Sequence, residues 1–120
     1  LREHDFKIGL ASSSPLRMIE ELVSHFGLTD YFDCIVSADA VAFGKPHPGV
    51  FLYAAEQLNA APHQCLVFED SMNGVIAAKS ARMKVIAVPD RLHYDDPRFL
   101  LADMKLSSLE ELDIEVMSSF

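Results

Sequence analysis

The stretch that most constrains the fold is Cys65-Leu66-Val67-Phe68-Glu69-Asp70-Ser71-Met72-Asn73-Gly74, an apolar run that stops at two adjacent carboxylates and then opens a helical pattern. Four consecutive apolar residues suit a strand buried on both faces, as in a parallel sheet. Val75, Ile76, Ala77, Ala78 and Ala81 suit a helix covering that sheet. A strand, a tight turn and a helix make half of a βαβ unit. In open α/β sheets ligands bind outside the carboxyl ends of the strands, which is where Glu69 and Asp70 stand. Two side-by-side carboxylates repel unless a cation sits between them, and Mg2+ takes one or two carboxylates together with phosphate and water. The residues by themselves leave a plainer reading open, in which Asp70 or Ser71 caps the helix and Glu69 is a solvated loop residue.

The rest of the chain repeats the alternation. Lys7-Ile8-Gly9-Leu10-Ala11 reads as a first strand, ending in the hydroxyl cluster Ser12-Ser13-Ser14 before Pro15. Ser14 at the N-cap and Pro15 at the first helical position predict a helix start, and Met18, Ile19, Leu22, Val23 and Phe26 predict its buried face, with Gly27 closing it. A hydroxyl at a strand end beside a helix N-terminus is able to bind a phosphate oxygen, although capping alone accounts for Ser14. Phe32 to Val36 reads as a second strand leading to Gly44-Lys45-Pro46-His47-Pro48, a loop that two prolines stiffen around a lysine. A lysine held there is a point charge suited to phosphate, and equally a solvated side chain. A helix from Gly49 to Leu58, a strand from Lys84 to Val88, a polar loop from Tyr94 to Arg98 and a helical turn from Phe99 to Ala102 follow. A short edge strand from Met104 to Leu106 and a helix from Ser107 to Met117, capped by Ser107 or Ser108, complete the reading. Strands alternating with helices of about ten residues imply one mostly parallel, doubly wound sheet.

Composition excludes several partners. With 120 residues the chain is long enough for one domain with a real core, and a net charge of -8 disfavours both nucleic acid and an anionic membrane. No run approaches the roughly 18 apolar residues of a membrane span, and no signal peptide opens the sequence. Cys34 and Cys65 lie within apolar runs as small buried hydrophobes, which suits a reducing cytoplasm.

The ordered set of a hydroxyl, a lysine and an acidic pair resembles motifs two, three and four of the haloacid dehalogenase superfamily. Ala11-Ser12-Ser13-Ser14, Gly44-Lys45-Pro46-His47-Pro48 and the Phe68 to Gly74 stretch are similar to its β-phosphoglucomutase-like branch. Asp96-Pro97-Arg98-Phe99 and Lys105-Leu106-Ser107-Ser108-Leu109 resemble bacterial hexitol and 2-deoxyglucose 6-phosphate phosphatases. The resemblance implies a Rossmann-like, mostly parallel three-layer α/β core over residues 1–120. It also implies Mg2+-dependent hydrolysis of a small sugar phosphate or other phosphomonoester. Ser12 and Ser13 would hold phosphoryl oxygens, Lys45 would neutralise developing charge, Glu69 and Asp70 would bind Mg2+, and Asn73 would orient the metal's surroundings.

The family attacks phosphate with an Asp-x-Asp motif on an earlier strand and selects substrates with a helical cap, and this sequence holds neither. Asp39 and Asp113 are the nearest candidates and both are rejected, the first for Val41 two residues on and the second because its Glu115 partner falls in the last helix. In the family the absent strand lies between the first strand here and the Cys65 strand. Its removal would leave unpaired backbone edges and an apolar trench. The expectation is therefore a carboxy-terminal part of a phosphatase, catalytically incomplete alone, whose sheet is completed by an amino-terminal segment or a swapped second copy. Leu1 to Asp5, which reads as the tail of a helix, fits that expectation. A β-phosphoglucomutase-like phosphomutase and a non-catalytic interaction module are the alternatives. A two-component receiver domain is disfavoured, because its acids precede its hydroxyl and lysine.

Overall fold

Apolar four-residue runs separated by capped helices build an alternating α/β architecture. The computed structural model describes residues 6–112. The strands are β1 (Gly9–Ser12), β2 (Cys34–Ser37), β3 (Leu66–Glu69), β4 (Lys84–Ala87) and β5 (Met104–Lys105). The helices are α1 (Leu16–His25), α2 (Gly49–Gln57) and α3 (Met72–Ser80). Short 3-10 turns at Pro97–Leu101 and Leu109–Glu111 flank β5.

All pairings are parallel, as the continuous apolar runs require. The strands form two sheets, β1-β2 and β3-β4-β5, where the sequence predicts one. β1 meets β2 with Ser12 opposite Ser37, and β3 meets β4 with Glu69 opposite Ala87. Among the described residues no ladder joins β1 to β3. Between them runs a trench of about 730 Å3, walled by the facing edges of 6–11 and 65–69 and floored by Phe51, Ala54 and Ala55 of α2 and by Leu58 just after it. The open sheet matches the expected consequence of an absent central strand.

The core lies where α2 and α3 pack on the strands and on each other. Val50, Phe51, Ala54 and Ala55 of α2 meet Val75, Ala77 and Ala78 of α3 above Val36, Val85 and Ala87. Alanines at the helix contact allow close approach, and β-branched residues fill the sheet face. Phe99, 3% exposed, closes the far side.

Each helix ends in the same hydrogen-bonded motif. Leu28 N–H reaches Val23 O, Ala60 N–H reaches Ala55 O, and Met83 N–H reaches Ala78 O, with Gly27, Asn59 and Arg82 in the left-handed region. Gly27 therefore closes α1 as the sequence predicts.

Three details depart from expectation. Ser14 does not cap α1. The helix starts at Leu16 after Pro15, and the Leu16 N–H donates to the carboxylate of Asp39 at 3.4 Å. A loop following β2 thus supplies the cap. On α1 only Ile19 and Val23 are buried, while Met18, Leu22 and Phe26 are 51%, 54% and 68% exposed, because α1 packs chiefly on β2 and no described element covers its outer flank. The helix expected from Ser107 is, within the described residues, a 3-10 turn at Leu109–Glu111 capped by Ser108 and followed by extended backbone at Leu112. The remainder of that expected helix, with Asp113, and the Leu1 to Asp5 segment lie outside the described residues.

Candidate active site

The carboxyl ends of β1 and β3 bring together the side chains that the sequence separates. Ser12, Ser13, Lys45, Glu69, Asp70 and Asn73 all line one cleft of about 730 Å3. Each is delivered by local chain logic. β1 ends on Ser12, whose Oγ accepts the Ser14 N–H at 3.1 Å and turns the chain toward α1. Ser37, 2% exposed at the end of β2, donates its hydroxyl to Ser14 O at 2.7 Å and fixes that turn.

Lys45 reaches across the trench. Its Nζ donates to Ala11 O on β1 at 3.3 Å and to Glu69 Oε2 on β3 at 2.9 Å, while lying 4.8 Å from the centre of the Phe51 ring. Only 11% of the Lys45 side chain and 10% of the Glu69 side chain are exposed. An ammonium has three donors, so these two acceptors leave one N–H of Lys45 unused.

Glu69 is held from every side. Its Oε1 accepts the Asp70 N–H at 3.2 Å, the Ser71 N–H at 3.3 Å and the Ser71 hydroxyl at 3.1 Å. Burial pushes its carboxyl up, but the Lys45 hydrogen bond and charge, with the donors of Asp70 and Ser71, outweigh this and hold it below the usual range. Asp70 behaves oppositely. Exposed at the lip of the cleft, it has its pKa raised by the hydrogen bond with Glu69, then by burial and the Glu69 charge. A pair of carboxylates in which one resists ionisation beside the other is an arrangement that a cation relieves.

The donor set fits a hard divalent ion. Glu69 and Asp70 offer carboxylate oxygens, the cleft also holds the hydroxyls of Ser12 and Ser13, and Mg2+ characteristically completes its shell with phosphate and water. Among the described residues no cluster of three His, Cys, Asp or Glu side chains forms a closed metal cage. His47 takes another part, its Nδ1 accepting the Gly49 N–H at 3.0 Å at the start of α2. Asp39 caps α1 and does not line the cleft. Cys34 and Cys65 are free thiols, each pushed up by burial, with the Asp33 charge adding to the effect on Cys34.

Three contributors escaped the sequence reading. Phe51 sits against the Lys45 ammonium, Ser71 donates to Glu69, and Gly74 leaves the space that the Glu69 carboxylate fills. A Cβ at Gly74 would fall deep inside contact with Glu69 Cγ, Cδ and Oε2. The Ser71 to Gly74 spacing was the available signal, a serine N-cap with a glycine three residues on.

Comparison with known proteins settles the family. The family described as haloacid dehalogenase-like hydrolase matches residues 1–82. The chain belongs to it. Hexitol phosphatase B of Escherichia coli is 50% identical over 111 residues, covering 92% of this chain and 50% of that protein. A fructose-1-phosphate phosphatase of the same organism is 42% identical over 81 residues, covering 68% of this chain and 42% of that one. The crystal structure of a β-phosphoglucomutase from Clostridium difficile superposes with a TM-score of 0.84 at 30% identity, over 98% of this chain and 50% of that chain. This haloacid dehalogenase-like chain thus spans about half the length of these curated relatives. Its fold is a Rossmann-like α/β core of the β-phosphoglucomutase type, and among the described residues no helix is long and apolar enough to cross a membrane.

Proposed function

We propose that these residues form the carboxy-terminal part of the catalytic core of a cytoplasmic, Mg2+-dependent phosphatase acting on a small sugar phosphate. The carrying observation is Lys45. Its ammonium spans the ends of β1 and β3, keeps one donor for an anion, and borders a cleft that Ser12 and Ser13 share. Phosphoryl transfer asks for positioned donors and neutralised charge more than for covalent chemistry by the protein. Ser12 and Ser13 bind phosphoryl oxygens through their hydroxyls. Lys45 stabilises the negative charge that spreads over the transferring group. Asp70 and Glu69 would hold Mg2+, and Asn73, on the first turn of α3, would orient groups around it. Mg2+ when bound supplies electrostatic stabilisation of the phosphate oxygens.

The nucleophile comes from elsewhere. In this reading a parallel strand outside these residues fills the trench between β1 and β3, joins both sheets, and delivers an aspartate to the mouth of the cleft. The two open edges and the apolar α2 floor support an extended apolar occupant. The isolated chain is inactive. The relatives named for hexitol and fructose 1-phosphate support a sugar phosphate as substrate. The β-phosphoglucomutase likeness favours a second reading, in which the phosphoryl group returns to another position of the sugar.

The test is Mg2+-dependent phosphate release from p-nitrophenyl phosphate and from hexose phosphates, with and without a co-expressed amino-terminal half of hexitol phosphatase B. Activity only in the reconstituted sample supports the proposal. Hydrolysis by the isolated chain that Asp70→Ala abolishes would overturn the missing-nucleophile reading. Isomer interconversion without net phosphate release would select the mutase.

A further inference from the structure

We propose that Ser71 is a positioning residue that aims the Glu69 carboxylate at Lys45, beyond its task of capping α3; the functional half of this inference rests on the phosphatase reading above. An N-cap serine is needed only as an acceptor. Here the Gly74 N–H donates to Ser71 Oγ at 3.0 Å, so the hydroxyl proton remains available for another partner. That partner is Glu69 Oε1 at 3.1 Å, the same oxygen that takes the backbone N–H groups of Asp70 and Ser71. Three donors on one oxygen fix the plane of the carboxylate. The other oxygen, Oε2, is thereby presented to Lys45 Nζ at 2.9 Å.

The consequence for the cleft is directional. Lys45 is anchored at Ala11 O and at Glu69 Oε2, and these two anchors decide where its remaining N–H points. Releasing Oε1 lets the carboxylate rotate and loosens one anchor. Gly74 belongs to the same device, because the carboxylate occupies the volume that any side chain there would need. The residue type at 71 follows from both duties. Aspartate caps a helix as well as serine does, but it would set a second negative charge against Glu69. Glycine retains most of the capping value and offers no hydroxyl.

The test compares Ser71→Gly, Ser71→Ala and Ser71→Thr in the complete protein. The first readout is the rate at which an amine reagent labels Lys45, followed by peptide mass spectrometry, which requires no turnover. The second is kcat and KM for p-nitrophenyl phosphate. Ser71→Gly and Ser71→Ala should label Lys45 several-fold faster and lower kcat by about tenfold to a hundredfold, as expected for a lost hydrogen bond to a charged group. KM should change much less, and Ser71→Thr should restore both readouts. Glycine keeps the cap, so a purely structural role would leave the Ser71→Gly labelling rate at the wild-type value. That result, or an unchanged kcat alongside faster labelling, would overturn the proposal. A wild-type protein that released no phosphate would sink the phosphatase reading, while the labelling comparison would still judge the geometry.

Discussion

Gly74→Ala sets two rules against each other. Gly74 is the third residue of α3, and in a helix alanine is ordinarily the more stable residue by about 1 kcal/mol. The structure reverses that sign. The added methyl would occupy the place of Glu69 Cγ, Cδ and Oε2. Glutamate is flexible enough to swing away, but swinging away breaks the Lys45 ion pair and strips Oε1 of its donors. Lys45 would then remain with an 11% exposed side chain and no counter-charge, a situation that costs about 3–5 kcal/mol. Subtracting the helix gain leaves a net destabilisation of about 2–4 kcal/mol, or about 4–16 °C in Tm for a protein of the relatives' length. Urea unfolding of the complete protein, read by circular dichroism, measures it. A Gly74→Ala protein as stable as the wild type, or more so, would refute the packing of Glu69 against this position. The control is the Glu69→Ala background, where the same substitution should become neutral or stabilising by about 1 kcal/mol because nothing remains to be displaced.

Other consequences are equally open to measurement. Arg82 has a positive φ of 66 at the end of α3, so Arg82→Gly should raise stability by about 0.5–1 kcal/mol, and a lowered urea midpoint would count against backbone strain there. Burial pushes the Asp103 carboxyl up, but the Lys79 ammonium at 2.9 Å and the Val85 N–H at 2.8 Å outweigh it and hold the pKa below its ordinary value. Its stabilising contribution is therefore present above the unfolded carboxyl pKa of about 3.9 and is lost as pH falls through the lower folded value. Asp103→Asn should flatten the acid limb of a stability-versus-pH curve below about pH 4, and an unaltered limb would contradict the assignment. Lys105 Nζ donates to Tyr94 O at 2.7 Å and lies 4.2 Å from the Tyr94 ring centre, so Lys105→Ala should speed hydrogen exchange across 90–96 without affecting α2.

Much of this architecture was legible because it is local. Four of the five strands follow from apolar runs, all five, including the short Met104–Lys105 pair, lie within a residue or two of their expected bounds, and Gly27 marks the end of α1. The misplaced helix start has a non-local cause. Nothing near Ser14 reveals that Asp39, delivered by the loop after β2, caps α1. The buried face of α1 was over-read because a stripe of Met18, Leu22 and Phe26 specifies a wish for a partner, not the presence of one. Within the candidate site, residue types and order pointed to Ser12, Lys45, Glu69 and Asp70. The parts played by Phe51, Ser71 and Gly74 rest on contacts that type and order do not encode.

The sequence by itself determined an alternating parallel α/β chain and the set of oxygen and ammonium groups at its strand ends, because strand periodicity and helix capping act over a few residues. Only the tertiary structure decided that the sheet opens between β1 and β3, and that Lys45 bridges the opening. It also decided that of two adjacent carboxylates Glu69 turns inward while Asp70 stays exposed. Those outcomes depend on hydrogen bonds between residues 24 and 34 positions apart, where burial and charge pairing, not neighbouring residues, select the conformation.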